Sequence, residues 1–167
     1  MKKQRTAGVV VCSDSVYNGV KEDISGAVLE EMLKEDGFSV LEKTVVPDEK
    51  DAIANSLIRL CDEKMADLII TSGGTGLSKK DVTPEATLLV IDKQIPGIAE
   101  AIRVKGLEYT PKAMLSRGIA GVRGNTVIIN LAGSVKAARE GYFIIKEVLA
   151  HALDIINGDV TDCGRRG

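Results

Sequence analysis

Leu68-Ile69-Ile70-Thr71-Ser72-Gly73-Gly74-Thr75-Gly76 is a short apolar run that empties straight into a glycine-rich turn. An apolar run of this length without polar alternation fits a strand covered on both faces. Beyond the turn, Thr83-Pro84-Glu85 reads as a helix start. Thr83 is the expected N-cap, and Pro84 takes the first helical position, where its missing N–H costs nothing. The unit is therefore strand, loop, helix.

The same grammar repeats on either side. Ala7 to Cys12 is a second buried, β-branched strand, ended by Ser13-Asp14-Ser15. From Ser25 to Asp36, Val28, Leu29, Met32 and Leu33 recur at helical spacing between charged residues, and Gly37 follows as a stop. Phe38 to Val46 reads as a strand, and after Pro47-Asp48 a helix carries Ile53, Leu57, Leu60 and Cys61 on one face. Ile98 to Val104 has helical character, and Tyr109 to Asn125 fits either pattern poorly. Thr126 to Leu131 is a strand, and Ser134 to Ile156 is a long helix. Alternation of this kind predicts a three-layer α/β/α domain around a mainly parallel sheet, with a mixed sheet left open.

Composition narrows the class. A chain of 167 residues fits one domain, residues 1–167, with 160–167 expected to be a flexible tail. Only 3% of residues are aromatic, so Val, Ile, Leu and Ala must fill the core. A net charge of -2 provides no general field for nucleic acid or anionic membrane. No run reaches the roughly 18 apolar residues of a membrane span, and the basic segment Met1 to Thr6 lacks the apolar stretch of a signal peptide. The three cysteines, Cys12, Cys61 and Cys163, are too scattered for a disulfide framework or a metal knuckle. A cytoplasmic location follows as an expectation. His151, the single histidine, lies mid-helix without metal-ligand neighbours and reads as structural.

In a parallel sheet, ligands bind beyond the carboxyl ends of the strands. Four such ends should meet: Ser13-Asp14, Pro47-Asp48, Ser72 to Gly76, and Asn130 to Ser134. Glycines 73, 74 and 76 allow positive φ and close approach, so successive N–H groups can face phosphate oxygens. The spacing is neither that of a P-loop nor that of a dinucleotide fingerprint, and a glycine turn by itself fits a tight connection equally well. Lys79, Lys80 and Asp81 beside a helix N-terminus add two cations and a carboxylate. Asp48 and Asp81 each sit where an acid favours a helix dipole, but one shared rim would also let them hold Mg2+ against a polyphosphate.

Thr71-Ser72-Gly73-Gly74-Thr75-Gly76 with Asp81-Val82-Thr83-Pro84-Glu85-Ala86-Thr87 resembles the signature of the MogA and MoaB family of molybdenum-cofactor biosynthesis, whose domain also occurs in gephyrin and Cnx1. The likeness continues through Ser13-Asp14, Asp23 to Gly26, Val46 to Glu49, Leu115-Ser116-Arg117 and Asn130 to Ser134. It implies a molybdopterin adenylyltransferase that uses MgATP to place AMP on the terminal phosphate of molybdopterin, releasing pyrophosphate. It also implies a homotrimer and a molybdate-inserting partner enzyme. Matched by position, Asp48 and Asp81 would be the catalytic and Mg2+-holding acids. Ser13, Asp14, Gly73, Gly74, Thr75, Gly76, Thr83, Ser116, Asn130, Gly133 and Ser134 would bind ATP and pterin.

Ala132 and Val135 stand where the family usually has prolines, which removes rigidity but no charge or donor. Lys79, Lys80, Arg117, Arg123 and Lys136 are candidate phosphate partners, each equally at home as a solvated cation. Two other readings share the pattern: a catalytically silent molybdopterin-binding module, and a nucleotide hydrolase or nicotinamide-nucleotide enzyme. Retention of both carboxylates favours the transferase over the first. The short chain with the D-V-T-P-E-A-T motif argues against the second.

Overall fold

The computed structural model describes residues 3–159; Cys163 and the expected tail 160–167 lie outside them. Six strands form one sheet: β1 (Thr6–Cys12), β2 (Ser39–Val46), β3 (Leu68–Ser72), β4 (Lys93–Gln94), β5 (Ala120–Arg123) and β6 (Thr126–Leu131). Their order is β2-β1-β3-β6-β5-β4. The first four in that order are parallel, whereas β5 runs antiparallel to β6 and β4 antiparallel to β5. The sheet is thus mixed at one edge. All five residues of β3 and all six of β6 are buried, which explains why both strands read as unbroken apolar runs.

The helices are α1 (Asp14–Tyr17), α2 (Ser25–Glu35), α3 (Lys50–Ile58), α4 (Thr83–Val90), α5 (Pro96–Gly106) and α6 (Val135–Ile156). On one face, Leu29 and Leu33 of α2 and Tyr142, Ile145, Leu149 and Leu153 of α6 pack on Val9, Ile70 and Ile129. On the other, Ile53 and Leu57 of α3 and Ala86 and Val90 of α4 pack on Val10, Ile69 and Ile128. Each fully buried aliphatic side chain contributes roughly 1.5–3 kcal/mol. Two separate clusters divided by the sheet are the signature of three layers. None of the described helices is long and apolar enough to cross a membrane.

Three local features depart from the sequence reading. The ambiguous stretch Tyr109 to Asn125 resolves into a 3-10 turn, Pro111–Leu115, and strand β5, joined to β6 by the two-residue loop Gly124-Asn125 with Gly124 at φ 55°. The helix after Asp48 widens into a π-turn over Arg59–Glu63 before Met65, at φ 56°, turns the chain. Thr83 is not an N-cap. It lies inside α4, wholly buried, and its hydroxyl donates to the Gly73 carbonyl at 2.9 Å while its N–H donates to that of Gly74 at 3.1 Å. The threonine ties the helix to the glycine turn rather than closing the helix end.

Candidate active site

Parallel register brings the ends of β1, β2, β3 and β6 to one rim. A cavity of about 390 Å3 there is lined by Ser13, Asp48, Gly73, Gly74, Asp81 and Ser134, among others. The glycines are dictated by space. Gly73 has φ 100°, and a Cβ would stand 2.4 Å from the Cys12 carbonyl oxygen; Gly74 has φ 69°, and a Cβ would stand 2.2 Å from Thr83 Oγ1. A Cβ on Gly133 would meet Gly73 Cα at 3.1 Å. A side chain at Gly73 would collide with backbone, and one at Gly74 would displace the Thr83 hydroxyl that holds the turn.

The carboxylates are held by backbone. Asp14 N–H donates to Asp48 Oδ2 and Asp48 N–H donates to Asp14 Oδ1, both at 2.9 Å, a reciprocal clasp between the ends of β1 and β2. Lys80 Nζ donates to Asp14 Oδ2 at 2.9 Å, and Asp81 Oδ2 accepts the Ser78 N–H at 2.9 Å. The Lys80 ammonium and the Asp48 N–H hold the Asp14 carboxyl below its ordinary pKa. Burial, followed by the negative charges of Asp14 and Asp81, pushes Asp48 above its ordinary value, against the Asp14 N–H and Lys80, which pull it down. An elevated carboxylate in a cleft among like charges is one that a cation would relieve.

Among the described residues no three His, Cys, Asp or Glu side chains converge to enclose a metal ion. The donor set still suits Mg2+, which is ordinarily held by one or two carboxylates together with substrate phosphates rather than by a protein cage. Asp48 and Asp81 each spend Oδ2 on an N–H and keep Oδ1 available.

A second cavity of about 570 Å3 adjoins the first. Thr75, Gly76, Arg103, Ser116, Ala132 and Ser134 are part of its wall, and Ser134 lines both cavities. Ser134 also caps α6, its hydroxyl accepting the Ala137 N–H at 3.3 Å, as Ser13 caps α1 by accepting that of Val16 at 3.3 Å. The α6 N-terminus therefore opens between the cavities with its partial positive charge.

Several sequence candidates are engaged in internal hydrogen bonds, although Asn130 also borders the larger cavity. Asn130 is buried, donates to Thr71 Oγ1 and Thr87 Oγ1 at 3.0 Å each, and accepts the Ile119 N–H at 3.2 Å, so its amide braces the sheet. Arg117 donates from Nε to the Gly76 carbonyl at 2.7 Å and from Nη2 to that of Asp81 at 2.6 Å, and pairs with Glu85. Arg123 holds Asp62 and the Val90 carbonyl. Neither arginine is a free phosphate partner. Lys136 faces solvent, 3.9 Å from Glu140. Arg103, unnoticed in the sequence, lines the larger cavity and holds the Gly118 carbonyl at 2.9 Å. Only its place in the last turn of α5 hinted at that role.

Residues 8–151 match the family described as "Probable molybdopterin binding domain". The chain is 43% identical over 154 residues to the molybdopterin adenylyltransferase of Helicobacter pylori J99, covering 91% of this chain and 88% of that one. It is 39% identical over 135 residues to the Escherichia coli K12 protein of the same name, covering 80% and 69%. The crystal structure of the molybdopterin biosynthesis enzyme MoaB from Thermus thermophilus superposes with a TM-score of 0.87 at 44% identity, covering 92% of this chain and 97% of that one.

Proposed function

The chain belongs to the molybdopterin-binding domain family of molybdenum-cofactor biosynthesis, and from that premise we propose that it is a molybdopterin adenylyltransferase. The reaction joins the terminal phosphate of molybdopterin to the α-phosphorus of ATP and expels pyrophosphate. The observation that carries this reading is the meeting of two cavities over one glycine floor, at Ser134, with Asp48 and Asp81 beside the smaller. A transferase must bring two polyanions into line. One cavity for each, sharing a wall, provides that arrangement.

In this assignment the backbone N–H groups of the glycine turn and the α6 N-terminus receive phosphate oxygens, offsetting charge as the α-phosphorus becomes five-coordinate. Asp48 and Asp81 would hold Mg2+, which when bound neutralises polyphosphate charge and orients the leaving pyrophosphate. Ser13 and Asp14 fix the placement of Asp48, while Thr75, Gly76, Ser116 and Ser134 face the pterin. No covalent nucleophile is needed, since the pterin phosphate itself attacks. Thr83 and Asn130 serve by bracing: the first holds the glycine turn, the second the strands beneath it.

The test is incubation of the purified protein with molybdopterin, ATP and Mg2+, following adenylylated pterin and pyrophosphate together. Both should appear in equal amounts. Asp81→Ala should lower transfer by at least about a hundredfold while the protein stays folded by circular dichroism. Near-normal turnover in that variant, or ATP loss without pterin adenylylation, overturns the assignment. The same reading carries a homotrimer, a cytoplasmic site of action and hand-over of product to a molybdate-inserting enzyme. Sedimentation equilibrium giving a mass other than three chains would exclude the trimer.

A further inference from the structure

Arg117 is bound to both ends of the loop that carries Asp81. Its N–H donates to the Thr75 carbonyl at 2.9 Å, its Nε to the Gly76 carbonyl at 2.7 Å and its Nη2 to the Asp81 carbonyl at 2.6 Å. Nη1 pairs with Glu85, in the first turn of α4, so the guanidinium also joins the loop to that helix. Between these anchors Leu77, Ser78, Lys79 and Lys80 are exposed, and Ser78 and Lys80 bond only to the acids of the rim, Asp81 and Asp14. The loop is therefore an exposed strap whose two ends, at Gly76 and Asp81, are pinned to the body of the domain by one side chain. A guanidinium is suited to the task because its planar fork addresses several acceptors at once, which an ammonium cannot do.

We propose that Arg117 is the positioning residue for the Asp81 carboxylate, and that it acts by clamping residues 75–81 rather than by binding phosphate. This rests on the adenylyltransferase reading and deepens it. Two observations argue for placement over direct contact. Glu85 balances the guanidinium charge on the spot, and pairing with Arg117 holds its own carboxyl below the ordinary range. The remaining donors point at main-chain carbonyls rather than into either cavity. Residues 116–118 are themselves held from α5, where Arg103 Nη1 donates to the Gly118 carbonyl at 2.9 Å. Ser116 and Arg103 line the larger cavity. The clamp is thus anchored in the wall of one site and places the acid of the other.

The experiment is a double-variant cycle on the whole protein, with MgATP affinity read by calorimetry. Arg117→Ala and Asp81→Asn should each weaken MgATP by roughly ten- to a hundredfold, as loss of a supporting shell around a metal ligand does. The combined variant should be no weaker than the worse single one. Binding of ATP in EDTA should change little in Arg117→Ala, because Gly73 and Gly74, which line the smaller cavity, are held through Thr83 and not by Arg117. Arg117→Lys should not restore affinity, whereas millimolar guanidinium should restore Arg117→Ala in part.

Arg123→Ala is the control. It removes an arginine that likewise joins a carboxylate, Asp62, to a main-chain carbonyl, that of Val90, outside both cavities, and should leave MgATP affinity unchanged. Additive losses in the cycle, or equal weakening with and without Mg2+, overturn the proposal. If the wild-type protein binds MgATP but adenylylates no pterin, the transferase reading falls and the cycle still judges the clamp. If it binds no MgATP, amide hydrogen exchange judges the clamp: Arg117→Ala should speed exchange over residues 76–81, and unchanged exchange overturns it.

Discussion

Gly73 and Gly124 both have positive φ, at 100° and 55°, yet they are not equivalent. A Cβ at Gly124 meets nothing within 4 Å, whereas at Gly73 it meets the carbonyl oxygen of Cys12, at the end of a central strand. Gly124→Ala should therefore cost only the backbone strain of roughly 1–2 kcal/mol. Gly73→Ala should add a clash with backbone that cannot yield, for a total of at least about 3 kcal/mol. Urea midpoints at constant m-value would separate the two; equal losses would mean that the floor of the site gives way more easily than the geometry indicates. The residue scale is also where legibility was uneven. The glycines and Asp81 could be grouped because they lie within nine positions of one another, whereas Asp48 joins them only through the parallel register of the strands. The roles of Thr83 and Arg117 were hidden because their partners, Gly73 in one case and Gly76, Asp81 and Glu85 in the other, lie 10 to 41 positions away in the chain. A threonine before Pro-Glu looks like a cap whatever its hydroxyl meets.

At the scale of elements, α6 shows what proline replacement can and cannot mean. Val135 is its first residue, following the cap Ser134, and the cap hydroxyl serves the Ala137 N–H, two positions beyond Val135. The Val135 N–H belongs to the set that a helix leaves without an internal partner. Val135→Pro should therefore be tolerated and should stabilise by roughly 0.4–1 kcal/mol, through a less flexible unfolded chain. A loss of more than about 1 kcal/mol in thermal or urea unfolding would show that this N–H is in use. The buried strands and amphipathic helices were readable from periodicity alone. Strand β5 was not, being four residues long with Gly121 inside it, where a Cβ would stand 2.5 Å from Ile91 Cδ1. The Gly124-Asn125 pair is of the kind that joins two strands in a tight hairpin, but with no periodic run before it the turn did not reveal the antiparallel edge. The π-turn after α3 had no comparable mark, since Ile53 and Leu57 precede it and Leu60, its second residue, follows them at ordinary helical spacing in the sequence.

For the molecule as a whole, acid should reveal function and fold in sequence. Glu42, paired with Arg59, Asp62, paired with Arg123, Glu85, paired with Arg117, and Asp14, bonded to Lys80, all have carboxyls held below their ordinary pKa by those cations. Such groups stabilise the folded state above the unfolded-chain pKa, and that stability is lost only as pH falls through their lower folded values. Their pairs lie near the surface, so each contribution is modest and salt-sensitive. Asp48 has the opposite sign. Burial and neighbouring charges raise its folded pKa, so acid protonates it first, and this favours the fold while removing the charge that would hold Mg2+. On acidification from pH 7, MgATP affinity should fall while circular dichroism is unchanged, and unfolding should follow at lower pH. Lys80→Met removes a positive charge that lowers Asp48, so it should move the binding limb to higher pH and leave the unfolding limb almost in place. Coincident limbs in the wild-type protein, or a binding limb that does not move in the variant, would show that Asp48 does not govern the nucleotide site.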